Sequence, residues 1–345
     1  MKKGNSLALA VGGIALAGWA ASRALAPKFS FAGKVVLITG GSRGLGFTIA
    51  RQIAAEGGRV VLVARDRDEL QRAHDEIAAE GGDVSIIPCD LLDTQQIKDT
   101  VETVVSHFGG VDVLINNAGI IEVGPLEHMT REDFERAMQL HMWAPFTLMT
   151  EVIPWMQRSR GGRIVNISSI GGKLAVPHLA PYSASKFALT GLSDSFRAEL
   201  ARDRIYVTTV APGLMRTGSH VNAQFKGKHD QEFAWFALAL GVPVLSMSVD
   251  RAAAKIVSAC KRAQPSLTLT LPARVAIAAN AVFPNLTAQA ISLTNRFLPT
   301  ATDSSGDELR SGGHSRSQKL SPNWLTWLAD RAIPRTNQPR GTAAP

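Results

Sequence analysis

Cysteine is nearly missing from these 345 residues: there are two, Cys89 and Cys260. Their wide separation makes neither a metal nor a redox spacing, which leaves both as buried small hydrophobes in a reducing compartment. The eight histidines are scattered without a ligand pattern, so no catalytic metal is expected. No internal repeat shows. The formal net charge of +8 comes with no basic stripe interleaved with aromatics, which argues against nucleic acid and leaves solvation or attraction to anionic lipid. At this length the chain exceeds one typical domain without reaching a second.

Glycine, by contrast, is gathered where it matters. Val35, Val36, Leu37 and Ile38 read as a strand buried on both faces, and residues 47–55 keep apolar side chains at helical spacing. Between them runs Thr39-Gly40-Gly41-Ser42-Arg43-Gly44-Leu45-Gly46. Strand, tight turn and helix start together offer free backbone N–H groups to a pyrophosphate, with glycines permitting close approach. Taken alone, the segment is equally a plain turn between strand and helix. The next strand, residues 60–63, ends in Ala64-Arg65, where an NAD site usually carries an acid. With Arg43 it supplies two guanidinium groups, which favour a 2′-phosphate and therefore NADP(H) over NAD. The alternatives are that both arginines are solvated and that Asp66 turns toward the ribose. Strands at residues 84–87 and 111–115 lead into Cys89-Asp90-Leu91 and Asn116-Asn117-Ala118-Gly119. Both fall at the sheet end where a doubly wound fold keeps its ligand, with Asp90 facing adenine and the second turn flooring the pocket. Each also reads as an ordinary cap or turn.

Tyr182 and Lys186 lie four apart in a helical pattern, so they share one face. Ser169 precedes the tyrosine by thirteen residues. Moving a tyrosine from a pKa of about 10 to near 7 takes about 4 kcal/mol. An ammonium about 4 Å away supplies a similar figure at an effective dielectric of about 20. The expected chemistry follows: Tyr182 protonates a carbonyl oxygen as hydride arrives from the reduced cofactor, and Ser169 holds that oxygen. Lys186 lowers the tyrosine pKa and bonds the nicotinamide ribose. The plain alternative makes Tyr182 a helix-start aromatic and Ser169 a turn hydroxyl.

In this order, Thr39-Gly40-x-x-x-Gly44-x-Gly46, Asp90, Asn116-Asn117-Ala118-Gly119, Ser169, Tyr182, Lys186, and Pro212-Gly213 followed by Thr217 resemble the short-chain dehydrogenase/reductase family. The likeness spans residues 31–257. It implies an α/β, Rossmann-type, doubly wound parallel seven-stranded sheet with helices on both faces. It further implies NAD(P)-dependent oxidation or reduction of a small carbonyl or alcohol, and a homodimer or homotetramer. Thr217, beside Pro212 and Gly213, would bond the nicotinamide carboxamide. One position departs: where the family commonly has an asparagine holding a water in the relay to the lysine, this chain has His141. It either positions water and carries protons near neutral pH or is a packed helix histidine beside Met142 and Trp143. Retained activity is expected, because the tyrosine, lysine and serine are all present.

The ends differ in character. From residue 4 to residue 22 nothing is charged, which suits a signal or a short anchor. Pro27 after Ala24-Leu25-Ala26 disfavours cleavage, and NADP(H) is a cytosolic cofactor. Residues 1–30 are thus expected to anchor a catalytic domain, residues 31–265, on the cytoplasmic side of a membrane. A helix packed on a soluble cytoplasmic enzyme is the alternative. Phe233, Trp235, Phe236, Leu238 and Leu240 make an apolar lid suited to a lipid, steroid, retinoid or acyl substrate, or else fill the lid's own core. Residues 266–300 read as an apolar helical extension. Residues 301–345 read as a flexible tail with a short helix carrying Trp324, Leu325, Trp327 and Leu328. Three functions remain open: a membrane-associated NADPH-dependent reductase, a soluble ketoacyl-type reductase, and an NADP(H)-binding interaction protein without turnover.

Overall fold

Val35–Thr39 (β1) is buried along its whole length, so side chains on both of its faces need partners. Val36 and Ile38 pack with Ile49, Ile53 and Ile256, whereas Val35 and Leu37 pack with Val101, Val104 and Leu148. The computed structural model describes residues 29–241, 246–315 and 334–338, and it repeats this two-sided burial from strand to strand.

The other strands of the main sheet are Arg59–Ala64 (β2), Asp83–Pro88 (β3), Val113–Asn116 (β4), Gly162–Ile167 (β6), Ile205–Ala211 (β7) and Ser266–Thr268 (β11). Glu122–Val123 (β5), Leu214–Arg216 (β8), Gln224–Phe225 (β9) and Ser246–Ser248 (β10) stand outside it. The main sheet is parallel throughout, in the order β11-β7-β6-β4-β1-β2-β3. This is the expected seven-stranded Rossmann-type sheet. Strand order reverses between β1 and β4, and a ligand crevice belongs at the carboxyl ends there. Pairing of β11 with β7 carries the sheet past the domain boundary expected at residue 265.

The helices are Gly44–Ala55 (α1), Arg67–Ala79 (α2), Thr94–Phe108 (α3), Arg131–Met138 (α4), Ala144–Arg158 (α5), Ala180–Leu200 (α6), His229–Gly241 (α7) and Val249–Lys261 (α8); both faces of the sheet are covered by helices, while α4 packs on α6 and α7 on β8, β9 and β10. Their starts are written in the sequence. Asp66 accepts from the Glu69 N–H ahead of α2, and Asp93 accepts from those of Gln95 and Gln96 ahead of α3, satisfying amides that a helix start leaves open.

Beyond the sheet lie two helices, Leu271–Val282 (α9) and Pro284–Asn295 (α10), with Leu271, Val275, Leu286 and Leu293 exposed. The stretch after residue 300, expected to be flexible, is instead tied down as far as residue 315. Arg310–Ser311 (β12) pairs with β9, which pairs with β5, and the buried His128 bonds Asp307 and the Thr302 N–H. Composition hid this, because a two-residue backbone pairing needs no apolar side chains. Among the described residues no helix is long and apolar enough to cross a membrane. The expected anchor at residues 4–22 and the tryptophan-bearing helix at residues 324–328 lie outside the described residues.

Candidate active site

The reversal of strand order opens a cleft of about 830 Å³. The glycine turn forms one wall. Gly40 and Gly44 both have φ of 61°, a left-handed conformation that a Cβ makes costly. At Gly46 a Cβ would collide with the Gly40 carbonyl oxygen, so α1 seats against the turn because that position is glycine. The side-chain amide of Asn117 donates to the carbonyls of Thr39 and Gly40 at 3.0 and 3.1 Å. In return the Thr39 hydroxyl accepts from the N–H groups of Asn117 and Ala118. Two motifs far apart in sequence are thus one staple. Among the described residues, nothing accepts from the backbone N–H groups of Gly44, Leu45 and Gly46, at the positive end of a helix.

Next along the cleft come Ser42, Arg43 and Arg65. Arg43 pairs with Glu69 at 2.6 Å, and the Ser42 hydroxyl donates to the other Glu69 oxygen at 3.1 Å. Arg65 is exposed on the rim. Asp66, left open by the sequence as a ribose ligand, is engaged in capping α2. Asp90 and Leu91 line the far end, where an Asp90 oxygen accepts from the Leu92 N–H. Cavity, open anion donors and adjacent guanidinium groups together fit a phosphorylated dinucleotide.

Ser169, at the carboxyl end of β6, accepts from the Gly171 N–H at 3.0 Å. Tyr182 and Lys186 project from the first turns of α6. The Lys186 ammonium donates to the Ile167 carbonyl at 2.9 Å and lies 5.8 Å from the centre of the Tyr182 ring. Pro212, Gly213 and Thr217 form the facing wall, with Ala118 and Gly119 below. Ser169, Tyr182, Lys186 and most of the glycine turn therefore share one cavity, while Thr39, Gly46 and His141 stand behind its surface.

The family model for short chain dehydrogenases matches residues 34–226. The chain belongs to that family. It is 38% identical over 196 residues to a dehydrogenase/reductase SDR family protein 7-like of Anopheles gambiae, covering 55% of this chain and 62% of that protein. It is 36% identical over 185 residues to the 3-oxoacyl-(acyl-carrier-protein) reductase of Thermotoga maritima, covering 54% of this chain and 75% of that one. The match to the first of these thus spans less than two thirds of its length. Among solved structures, L-sorbose reductase from Gluconobacter frateurii complexed with NADPH and L-sorbose aligns with a TM-score of 0.64 at 26% identity, over 71% of this chain and 97% of that one. A metagenomic short-chain oxidoreductase in complex with NADP aligns at 0.58 and 31%, over 70% and 98%.

Electrostatics in the cleft follow from burial. Desolvation pushes the Tyr182 hydroxyl above its usual value, and a hydrogen bond with Ser169 offsets part of the rise. Lys186 is pushed down to about 7 by the same cause. The sequence assigns the tuning of Tyr182 to the lysine; in the protein alone the larger effect on the tyrosine is desolvation, and it acts upward.

His141 lies in a wide π-type turn, Gln139–Trp143, a feature frequent at functional sites. Its Nε2 accepts from the Ile120 N–H at 3.1 Å, so its proton sits on Nδ1, 2.7 Å from the Ser185 hydroxyl. Burial, then the nearby Lys186, hold this imidazole well below its ordinary pKa. Both nitrogens are therefore engaged and the ring is neutral.

The helix α7 both packs in a core and borders the cleft. Phe233 and Ala237 on α7 are wholly buried against Val123 and Phe225, while Trp235, Phe236, Ala239 and Leu240 line the cleft. Sequence reasoning missed Glu69, Asn222 and Gln338, which also line it. Glu69 carried a signal in hindsight, since it is one helical turn past Asp66 on the helix facing Arg43. For Gln338 no local signal exists.

Proposed function

We propose that the chain is an NADP(H)-dependent oxidoreductase that interconverts a carbonyl and an alcohol on a hydrophobic substrate. The observation that carries this is the convergence of Ser169, Tyr182 and Lys186 on one cleft with the glycine turn. The phosphates would be held by the N–H groups of Gly44 and Leu45, and a 2′-phosphate by Arg43 and Arg65. Support for NADP(H) over NAD(H) comes from those guanidinium groups and from the engagement of Asp66 as a cap. Asp90 and Leu91 would flank the adenine, with Ala118, Gly119, Pro212, Gly213 and Thr217 around the nicotinamide half. Bound there, the nicotinamide supplies or accepts the hydride.

The chain's own residues handle the proton and the oxygen. Ser169 donates a hydrogen bond to the substrate oxygen, and Tyr182 gives its hydroxyl proton to that oxygen during reduction, or takes one during oxidation. Lys186, when protonated, stabilises the tyrosinate that forms. His141 is a positioning residue, fixing the Ile120 backbone and the start of α6 rather than carrying protons. A wall of Ile121, Val176, Leu214, Trp235, Phe236 and Leu240 supports an apolar substrate such as a lipid, steroid or acyl group.

The test is oxidation of NADPH, followed by absorbance, with a panel of aldehydes, ketones, ketoacyl thioesters and steroids. Turnover should fall about 10²- to 10⁴-fold in Tyr182→Phe, the range for losing a positioned acid, with NADPH binding retained. Undiminished turnover in that variant would refute the assignment.

A further inference from the structure

Five residues from the far end of the chain lie across the glycine turn. Pro334–Thr336 forms one helical turn against α1, and the next two side chains bridge the cleft. The Asn337 amide donates to the Ser42 carbonyl at 2.6 Å and to the Glu69 carbonyl at 3.0 Å. Gln338 donates to the Thr217 carbonyl at 3.0 Å and accepts from the Asn222 amide. The wholly buried Thr336 hydroxyl donates to that same Thr217 carbonyl. Ser42 and Glu69 belong to one rim of the cleft, Thr217 and Asn222 to the other. A Cβ on Gly44 would sit 3.2 Å from the Gln338 amide nitrogen, which places that side chain directly over the start of α1.

On the assignment of this cleft to NADP(H), we propose that Thr336, Asn337 and Gln338 are part of the cofactor site, as a strap that closes over the phosphates and slows their release. Two observations separate a strap from a plug that competes with the cofactor. Its side chains bond to carbonyl groups and to Asn222, leaving the N–H groups of Gly44 and Leu45, which line the cleft, without an acceptor. The cleft also keeps about 830 Å³ with the segment in place, and Gln338 forms part of its lining. Asn337 itself adopts a φ of 50°, a left-handed conformation that asparagine tolerates better than most residues. The chain is thereby turned so that both amides face the protein. A bridge made from both rims has to open before a dinucleotide can leave, so its bonds act on the release rate first.

The test is stopped-flow release of NADPH, read by its fluorescence on mixing with excess NADP⁺, in the full chain and in the double variant Asn337→Ala/Gln338→Ala. Circular dichroism and thermal unfolding check that the variant folds. Release should quicken at least tenfold, the size expected for losing a single net hydrogen bond where the variant removes four, and the equilibrium Kd should weaken with it. Unchanged release overturns the strap, and tighter binding in the variant would identify the segment as a competitor. In the unaltered protein, amide hydrogen exchange over residues 334–338 should slow when NADPH is added; faster or unchanged exchange also overturns it. If the full chain binds no NADPH at all, the cofactor assignment itself fails and the strap falls with it.

Discussion

The Nδ1–H of His141 is donated to the Ser185 hydroxyl at 2.7 Å, and that hydroxyl donates onward to the Tyr182 carbonyl at 2.9 Å. The histidine thus braces the backbone of Tyr182, the residue proposed to carry the reacting hydroxyl. His141→Ala should cost about 2 to 4 kcal/mol of stability, because it leaves a cavity and the Ile120 N–H without its acceptor. His141→Asn should recover part of that loss. Because the folded imidazole holds its pKa well below 6.5, only the unfolded chain takes up a proton there as pH falls through about 6.5. Stability must therefore decline below that pH, by a share that His141→Ala removes. Denaturant unfolding at several pH values measures both effects. A kcat–pH profile that changes shape between pH 6 and 9 in His141→Asn would instead make the ring a proton carrier.

Lys186 gives a second linkage, with its window higher. Its folded pKa is about 7 against an ordinary 10.5. Between those values the unfolded chain binds a proton that the cofactor-free folded chain does not, so stability rises with pH across the window. The slope approaches about 1.4 kcal/mol per pH unit from this group alone. Lys186→Met should flatten it by that amount in unfolding measured at pH 7, 8 and 9. Parallel slopes in the two proteins would mean that the lysine keeps its proton throughout.

These pH effects depend on contacts the sequence could not display, and the division between legible and hidden features is physical. Strand, glycine turn and helix start are local, so the residues from Val35 to Gly46 announce themselves by period and by glycine spacing. Tyr182 and Lys186 are tied by one helical turn. His141, however, takes its character from Ile120 and Ser185, which meet it only after folding, so its two readings could not be separated beforehand. Asn337 and Gln338 reach the glycine turn from nearly three hundred residues away, with no periodicity to mark them. The lid was ambiguous for a different reason: α7 is apolar on more than one side, and Phe236 and Leu240 belong both to its core cluster and to the cleft lining.

The proposed preference for NADP(H) rests on Arg43 and Arg65. Removing a charge-assisted contact to a phosphate costs about 1.5 to 3 kcal/mol, so Arg43→Ala with Arg65→Ala should weaken NADPH binding by at least tenfold. NADH lacks the 2′-phosphate, and its affinity should move little. Fluorescence titration of both cofactors against both proteins decides the matter. Equal losses for NADPH and NADH would show that the arginines serve the fold, through Glu69, rather than the phosphate.

Phe233 packs in the core of α7 and Ala239 borders the cleft, and substitutions there should separate stability from substrate range. Phe233 is wholly buried among Val123, Phe225 and Phe236. Phe233→Ala should therefore cost about 3 to 5 kcal/mol in denaturant unfolding. Ala239 borders the cleft beside Trp235 and Leu240, so Ala239→Phe adds volume where the substrate would lie and leaves the core alone. Melting temperature should hold, while kcat/KM for a bulky ketone falls more than that for a small aldehyde. The contrast matters because an apolar helix next to a cleft is equally consistent with a lid that merely packs. If Ala239→Phe lowers both substrates alike, this face of α7 shapes the site without selecting what enters it.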